Sequence, residues 1–227
     1  MQTVTLGPPS SPQTIANVDG LGHLMAPRRR LLEGETLYGE GEKSHLIYAI
    51  HTGTVKSTVT LRDGREQVMA FQISGEILGL DGIATGRHAS TVVALEETHV
   101  SAISYADFCR MAAGNAKLQQ VISRLLSREM VRDQELMLLL GCMSAEQRLA
   151  GFLLNMSRKT HERGYSASEL NLRMSRADIG SYLGMTLETV SRSFSALQKQ
   201  RILDVDKKRI RIREPEALVH AFEAQVH

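Results

Sequence analysis

The sequence predicts an α+β protein with an N-terminal β-roll, one long helix and a C-terminal winged helix-turn-helix. Three observations carry that prediction. Short apolar runs separated by Gly, Asp and Glu turns fill residues 28–104, the pattern of a roll or barrel with no helices between strands. A helical stretch without breakers opens at Asn115. Two short amphipathic helices then meet at Gly184, inside Met174 to Gln200. The corresponding division is a disordered or loosely ordered segment at 1–26, the roll at 27–114, the long helix at 115–141 and the helix-turn-helix domain at 142–227.

Composition excludes several classes. With 227 residues, 42% apolar and 23% charged, the chain is an ordinary globular protein. The densest apolar run, Leu136 to Met143, is far too short to cross a membrane. The N-terminus lacks the basic and apolar regions of a secretory signal, so a cytoplasmic protein without membrane contact is expected. Residues 144–227 hold 14 Lys and Arg against 10 acids, a net +4, whereas the first 143 hold 13 against 15, a net −2. A basic C-terminal part suits a nucleic-acid contact confined to one domain. Cys109 and Cys142 have no metal-ligand spacing and read as buried thiols, and the eight histidines form no ligand motif. No metal or cofactor is expected. Nor is an enzyme, because no nucleophile–base pair or paired carboxylates stand out.

In the roll, strands are expected at Leu46–Ile50, Val55–Leu61, Gln67–Phe71, Ser90–Leu95 and Val100–Ile103, with an Asp-Gly hairpin turn at Arg62–Arg65. Tyr105–Ala113 reads as a short helix stopped by Gly114. Asn115 then caps a helix to about Leu140, on which Leu126, Met130, Asp133, Met137 and Leu140 alternate four and three residues apart. That heptad seam predicts a parallel homodimer, the intramolecular alternative being packing on the roll. Arg124, Arg128, Glu129, Arg132 and Glu135 flank it at positions suited to solvent. Asp133 would face its twin near the axis and weaken pairing.

Gly141–Ser144 is the expected hinge, and Ser144 with Gln147 forms a capping box for the next helix. Ser175 caps the first helix of the motif, Gly184 breaks it, and Thr186 caps the second, whose Leu187, Val190, Phe194 and Leu197 form an apolar stripe. The second helix of such a motif enters a DNA major groove. Its opposite face carries Glu188, Ser191 and Arg192, side chains that read base edges: Arg pairs with guanine and Glu accepts from cytosine. Arg176, Thr186, Thr189 and Lys199 are candidate phosphate contacts. Ile202–Val205 and Arg209–Arg213 form a hairpin whose Arg209, Arg211 and Arg213 point outward as a basic wing.

The segments Asp178-Ile179-Gly180-Ser181-Tyr182-Leu183-Gly184 and Glu188-Thr189-Val190-Ser191-Arg192, with Asp133–Leu140 and Ala145–Ala150, resemble the CRP/FNR superfamily of bacterial transcription regulators, and within it the FNR branch. The resemblance spans nearly the whole chain from Arg28. It implies a cyclic-nucleotide-binding-like roll and places Glu188, Ser191 and Arg192 on a TTGAT half-site of a TTGAT-N4-ATCAA palindrome. It also implies a contact with RNA polymerase through the loop Leu80–Ser90, centred on Asp81. The oxygen-sensing members hold an iron–sulfur cluster on four cysteines. This chain has none before Cys109, and Ser101 stands at the place of the roll ligand. In the phosphate pocket of the cyclic-nucleotide members, the best register brings Gly79-Leu80 and Ala89-Ser90 to the positions of a Gly-Glu pair and an Arg; a shifted register uses Gly75-Glu76 and Arg87.

These features predict a homodimeric regulator, an activator by resemblance, working without an iron–sulfur cluster. The alternatives are a regulator gated by a cyclic nucleotide or haem in the roll, and a constitutive one controlled by its own abundance. Redox control through Cys109 or Cys142 stays open.

Overall fold

The computed structural model describes residues 27–224, so the expected disordered segment at 1–26 lies outside the described residues. The roll consists of two antiparallel four-stranded sheets. The first runs β1 (Arg29–Leu31), β8 (Thr98–Ser104), β3 (Leu46–Thr52) and β6 (Ile77–Leu78). The second runs β2 (Thr36–Tyr38), β7 (Thr91–Ala94), β4 (Thr54–Thr60) and β5 (Glu66–Ile73). The five expected strands are present; β1, β2 and β6 are too short to carry a periodic signal. Leu31, Leu37, Ile50, Val55, Val92 and Val100 bury themselves between the sheets. Aromatic rings fill the rest of that space, Tyr38 stacking on Tyr48 at 5.6 Å and on His88 at 3.6 Å.

Helix α1 (Tyr105–Ala113) is capped by Ser104 and helix α2 (Ala116–Cys142) by Asn115, whose carboxamide accepts from the Leu118 amide. One face of α2, through Leu118 and Val121, packs with Phe108 on Ile47 and Ile103 of the roll. The long helix therefore buries one side intramolecularly, while a second stripe stays exposed. It also continues through Gly141 and Cys142, and the chain first leaves helical geometry at Met143. The capping box at Ser144 and Gln147 then opens α3 (Ala145–His161).

The C-terminal domain follows as β9 (Glu169–Asn171), α4 (Arg176–Leu183), α5 (Leu187–Lys199), β10 (Leu203–Asp206), β11 (Arg209–Ile212) and α6 (Pro215–Glu223). The wing is a three-stranded sheet in the order β10-β11-β9. Its core gathers Leu149, Leu153, Ile179, Leu183, Val190, Phe194, Leu197, Ile210 and Leu218, each worth roughly 1.5–3 kcal/mol on burial.

That core does not stop at the domain boundary. Val68, Phe71 and Ile73 of β5 belong to it, and Phe71 meets Phe152 and Tyr182 at ring-centroid distances of 6.0 and 5.3 Å. Strand alternation would send Val68 and Phe71 to opposite faces. A register shift between Ser57 and Thr58 of β4, facing Ala70 and Val68, leaves Met69 as an extra residue and restores the phase. A local irregularity in the roll thus builds the seat for the C-terminal domain.

Polar contacts fix that seat. Ser181 Oγ accepts from the Val68 amide at 2.8 Å, and Lys56 Nζ meets Asp178 Oδ1 at 2.7 Å. Deeper in, the Glu76 side chain, only 10% exposed, takes Arg132 Nη2 of α2 at 2.9 Å and Lys159 Nζ of α3 at 3.0 Å, with Arg163 Nη2 at 3.9 Å. The Ile73 amide donates to it as well, at 2.8 Å. Burial alone would raise the Glu76 pKa; Lys159, Arg132 and Arg163 outweigh it and hold the value at about 2. The expectation that Glu129 and Arg132 are solvated is corrected: the pair, 3.0 Å apart, lines the cleft between β5, α2 and α3. The heptad pattern could not distinguish solvent from a neighbouring domain.

Candidate nucleic-acid interface

The motif is built as its caps dictate. The Ser175 hydroxyl accepts from the Asp178 amide at 3.0 Å and the Asp178 carboxylate accepts from the Ser175 amide at 2.9 Å, a complete capping box on α4. Gly184 ends that helix at φ 63°, a left-handed conformation that only glycine adopts without strain. At Gly180 a Cβ would fall 2.6 Å from the Met185 carbonyl oxygen, so the turn can fold back on α4 only over a glycine. Thr186 then caps α5, its hydroxyl accepting from the Thr189 amide at 3.2 Å.

On α5, Val190, Ser193, Phe194 and Leu197 are buried. Leu187, read from sequence as part of that stripe, is instead 49% exposed, because the first residue of the helix lies beyond the edge of the core. Glu188, Ser191, Arg192 and Lys199 are all exposed. The three residues expected on bases thus share an outward face. The Glu188 carboxyl is held below its usual range by its own backbone amide, by the Thr186 hydroxyl and by Arg192.

Several expected phosphate contacts have other work. The Arg176 guanidinium lies 3.4 Å over the centre of the Phe194 ring and donates to the Lys207 carbonyl at 3.3 Å, and its half-burial lowers its pKa. It braces the recognition helix against the wing turn rather than projecting freely. The Thr189 hydroxyl accepts from Arg192 Nη2 at 3.3 Å and lies 3.1 Å from the Thr186 hydroxyl. In the wing, Arg211 pairs with Glu169 and Arg213 with Asp204, both at 2.6 Å. Arg209 is exposed with no side-chain partner among the described residues, and Lys199 and Lys207 stand beside it in that respect.

On α2, Leu126, Met130 and Met137 form an open apolar row, 42%, 64% and 66% exposed, with Asp133 exposed beside it. Leu140 is half buried, its side chain lies against Gly184, and its carbonyl accepts from Arg148 Nη2 at 2.7 Å.

Asp81 is exposed, and its carboxylate also organises the loop, meeting His88 Nδ1 at 3.2 Å, the Ala89 amide at 2.9 Å and the Ser90 hydroxyl at 3.1 Å. The loop tip, Ala84 to Arg87, is exposed as well. The two registers considered for a phosphate pocket do not assemble one. Glu76 faces α2 and α3, Arg87 Nη1 donates to the Gly41 carbonyl at 2.7 Å, and Ala89 and Ser90 are bound to Asp81.

Ser101 hydrogen-bonds His51 Nε2 at 2.8 Å. The thiols are not buried as expected: Cys109 is partly exposed and Cys142 exposed. Among the described residues no group of His, Cys, Asp and Glu is arranged to hold a metal, and no helix is long and apolar enough to cross a membrane.

Comparison with known proteins agrees with this geometry. Residues 147–221 match the Crp-like helix-turn-helix domain and residues 28–115 the cyclic nucleotide-binding domain. The chain is 39% identical to the transcriptional regulatory protein btr of Bordetella pertussis, over 86% of this chain and 81% of that protein. It is 40% identical to the fumarate and nitrate reduction regulatory protein of Vibrio cholerae, over 87% and 79%. Among solved structures, FixK2 from Bradyrhizobium japonicum superposes with a TM-score of 0.81 at 33% identity, covering 88% of this chain and 99% of that one. Its fold, its exposed recognition face and these relatives together show that the chain belongs to the CRP/FNR family of DNA-binding transcription regulators.

Proposed function

We propose that the protein is a homodimeric, cytoplasmic activator that binds a TTGAT-N4-ATCAA-like palindrome without an iron–sulfur cluster. The observation that carries the reading is the outward face of α5. Glu188, Ser191 and Arg192 stand exposed over a buried stripe. Arg192 pairs with guanine through O6 and N7, Glu188 accepts from a cytosine or adenine amino group, and Ser191 makes a shorter base or phosphate contact. Lys199, Arg209 and the Thr186 hydroxyl hold phosphates. Leu126, Met130 and Met137 pair with their counterparts across a two-fold axis, which matches the symmetry of a palindrome.

The absence of a cluster is supported by Ser101, whose hydroxyl is engaged with His51, and by the placement of both thiols on helices. RNA polymerase meets the exposed 80–90 loop, with Asp81 the polar contact at its start.

The test is binding of freshly purified protein to the TTGAT-N4-ATCAA duplex in air, with no added ligand. Tight binding by the wild type and loss of discrimination at one base pair per half-site in Arg192→Ala, on the order of 1–3 kcal/mol, are expected. Normal discrimination by Arg192→Ala would overturn the assignment.

A further inference from the structure

Two threonines expected on phosphates sit between the two principal base readers. Arg192 Nη2 is 3.3 Å from Thr189 Oγ1, which is 3.1 Å from Thr186 Oγ1. A guanidinium has donors only, so Thr189 Oγ1 accepts from Arg192. The Thr186 hydroxyl oxygen also accepts the Thr189 amide at 3.2 Å, which holds the two threonines side by side at the start of the helix.

We propose that Thr189 is a positioning residue for base recognition, presetting the Arg192 guanidinium through a hydroxyl that is itself held beside Thr186. The inference rests on Arg192 reading guanine. Its physical content is preorganisation. A free arginine has many rotamers, and a hydroxyl that restrains the fork before contact reduces what must be lost on the DNA. A positioning residue acts on guanine discrimination, whereas a phosphate anchor acts on all sequences alike.

The two roles separate in one experiment on the full-length protein. Thr189→Val keeps the β-branched shape and removes the hydroxyl; Thr189→Ser restores it. Binding is measured to the TTGAT-N4-ATCAA duplex and to a copy with 7-deazaguanine in place of the TTGAT guanine, which lacks the N7 acceptor. The wild type should lose on the order of tenfold on the modified duplex. For Thr189→Val the loss should shrink to about threefold with the salt dependence unchanged, and Thr189→Ser should recover most of it.

A Thr189→Val protein that weakens equally on both duplexes, keeping the full tenfold loss, marks a phosphate anchor and overturns the proposal. So does one that behaves as wild type. Arg192→Ala is the control: if it keeps the full tenfold loss, the assignment of guanine to Arg192 fails first.

Discussion

Two charged regions of this molecule behave in opposite ways. At the junction of β5, α2 and α3, Glu76 is almost wholly enclosed and satisfied by Arg132, Lys159 and the Ile73 amide, with Arg163 close by. On α5, Glu188 and Arg192 are exposed and joined only through threonine hydroxyls. Desolvated charge needs its partners permanently, so the junction sets where the C-terminal domain sits. Solvated charge can exchange water for a base at little cost, so the recognition face remains available for DNA. The difference is one of environment, since both regions use the same residue types.

The sharpest way to break this contrast is Glu76→Gln. It leaves Lys159 and Arg163 without their carboxylate and Arg132 with Glu129 alone, and should cost about 3–5 kcal/mol in urea denaturation, while surviving folded protein keeps its preference among base pairs. A variant of normal stability would show that the cluster does not hold the domains.

Acid should probe the same group. The folded-state pKa of Glu76 lies below that of an unfolded glutamate. Its contribution is therefore fully present above about pH 4.5 and is lost as pH falls toward 2. In denaturation series across that window, Glu76→Gln should flatten the pH dependence by about one proton. An unchanged slope would assign acid sensitivity elsewhere.

Smaller effects belong to the exposed surfaces. Met130→Glu with Met137→Glu should shift sedimentation toward monomer and weaken palindrome binding at least tenfold, with under about 1 kcal/mol lost per protomer, because both side chains are already exposed. Lys199→Ala should act least, lowering affinity for all sequences alike and reducing the salt slope by about one per protomer. Any base-specific effect of Lys199→Ala would move it from phosphate to groove.

The helix-turn-helix was legible because its signals are local. Ser175, Gly184 and Thr186 act through the backbone within four residues, and the stripe Val190, Phe194, Leu197 needs only helical period. What the sequence did not reveal were contacts with other elements. Arg176 found the Phe194 ring, Leu140 found Gly184, and Arg132 found Glu76. Helix α6 and strand β9 went unread, the first beyond the recognised motif and the second only three residues long.

From the sequence alone come the order of roll, long helix and winged motif, and the exposed face of α5, because caps, turns and hydrophobic period are encoded within a few residues. Tertiary structure alone decided that β5 carries the C-terminal domain. That seat depends on a one-residue bulge at Met69 and on a carboxylate from one end of the roll meeting cations of α2, of α3 and of the turn after it. Neither is expressed by local pattern, since a bulge depends on pairing between strands, and a buried ion cluster exists only once separate elements have excluded water together.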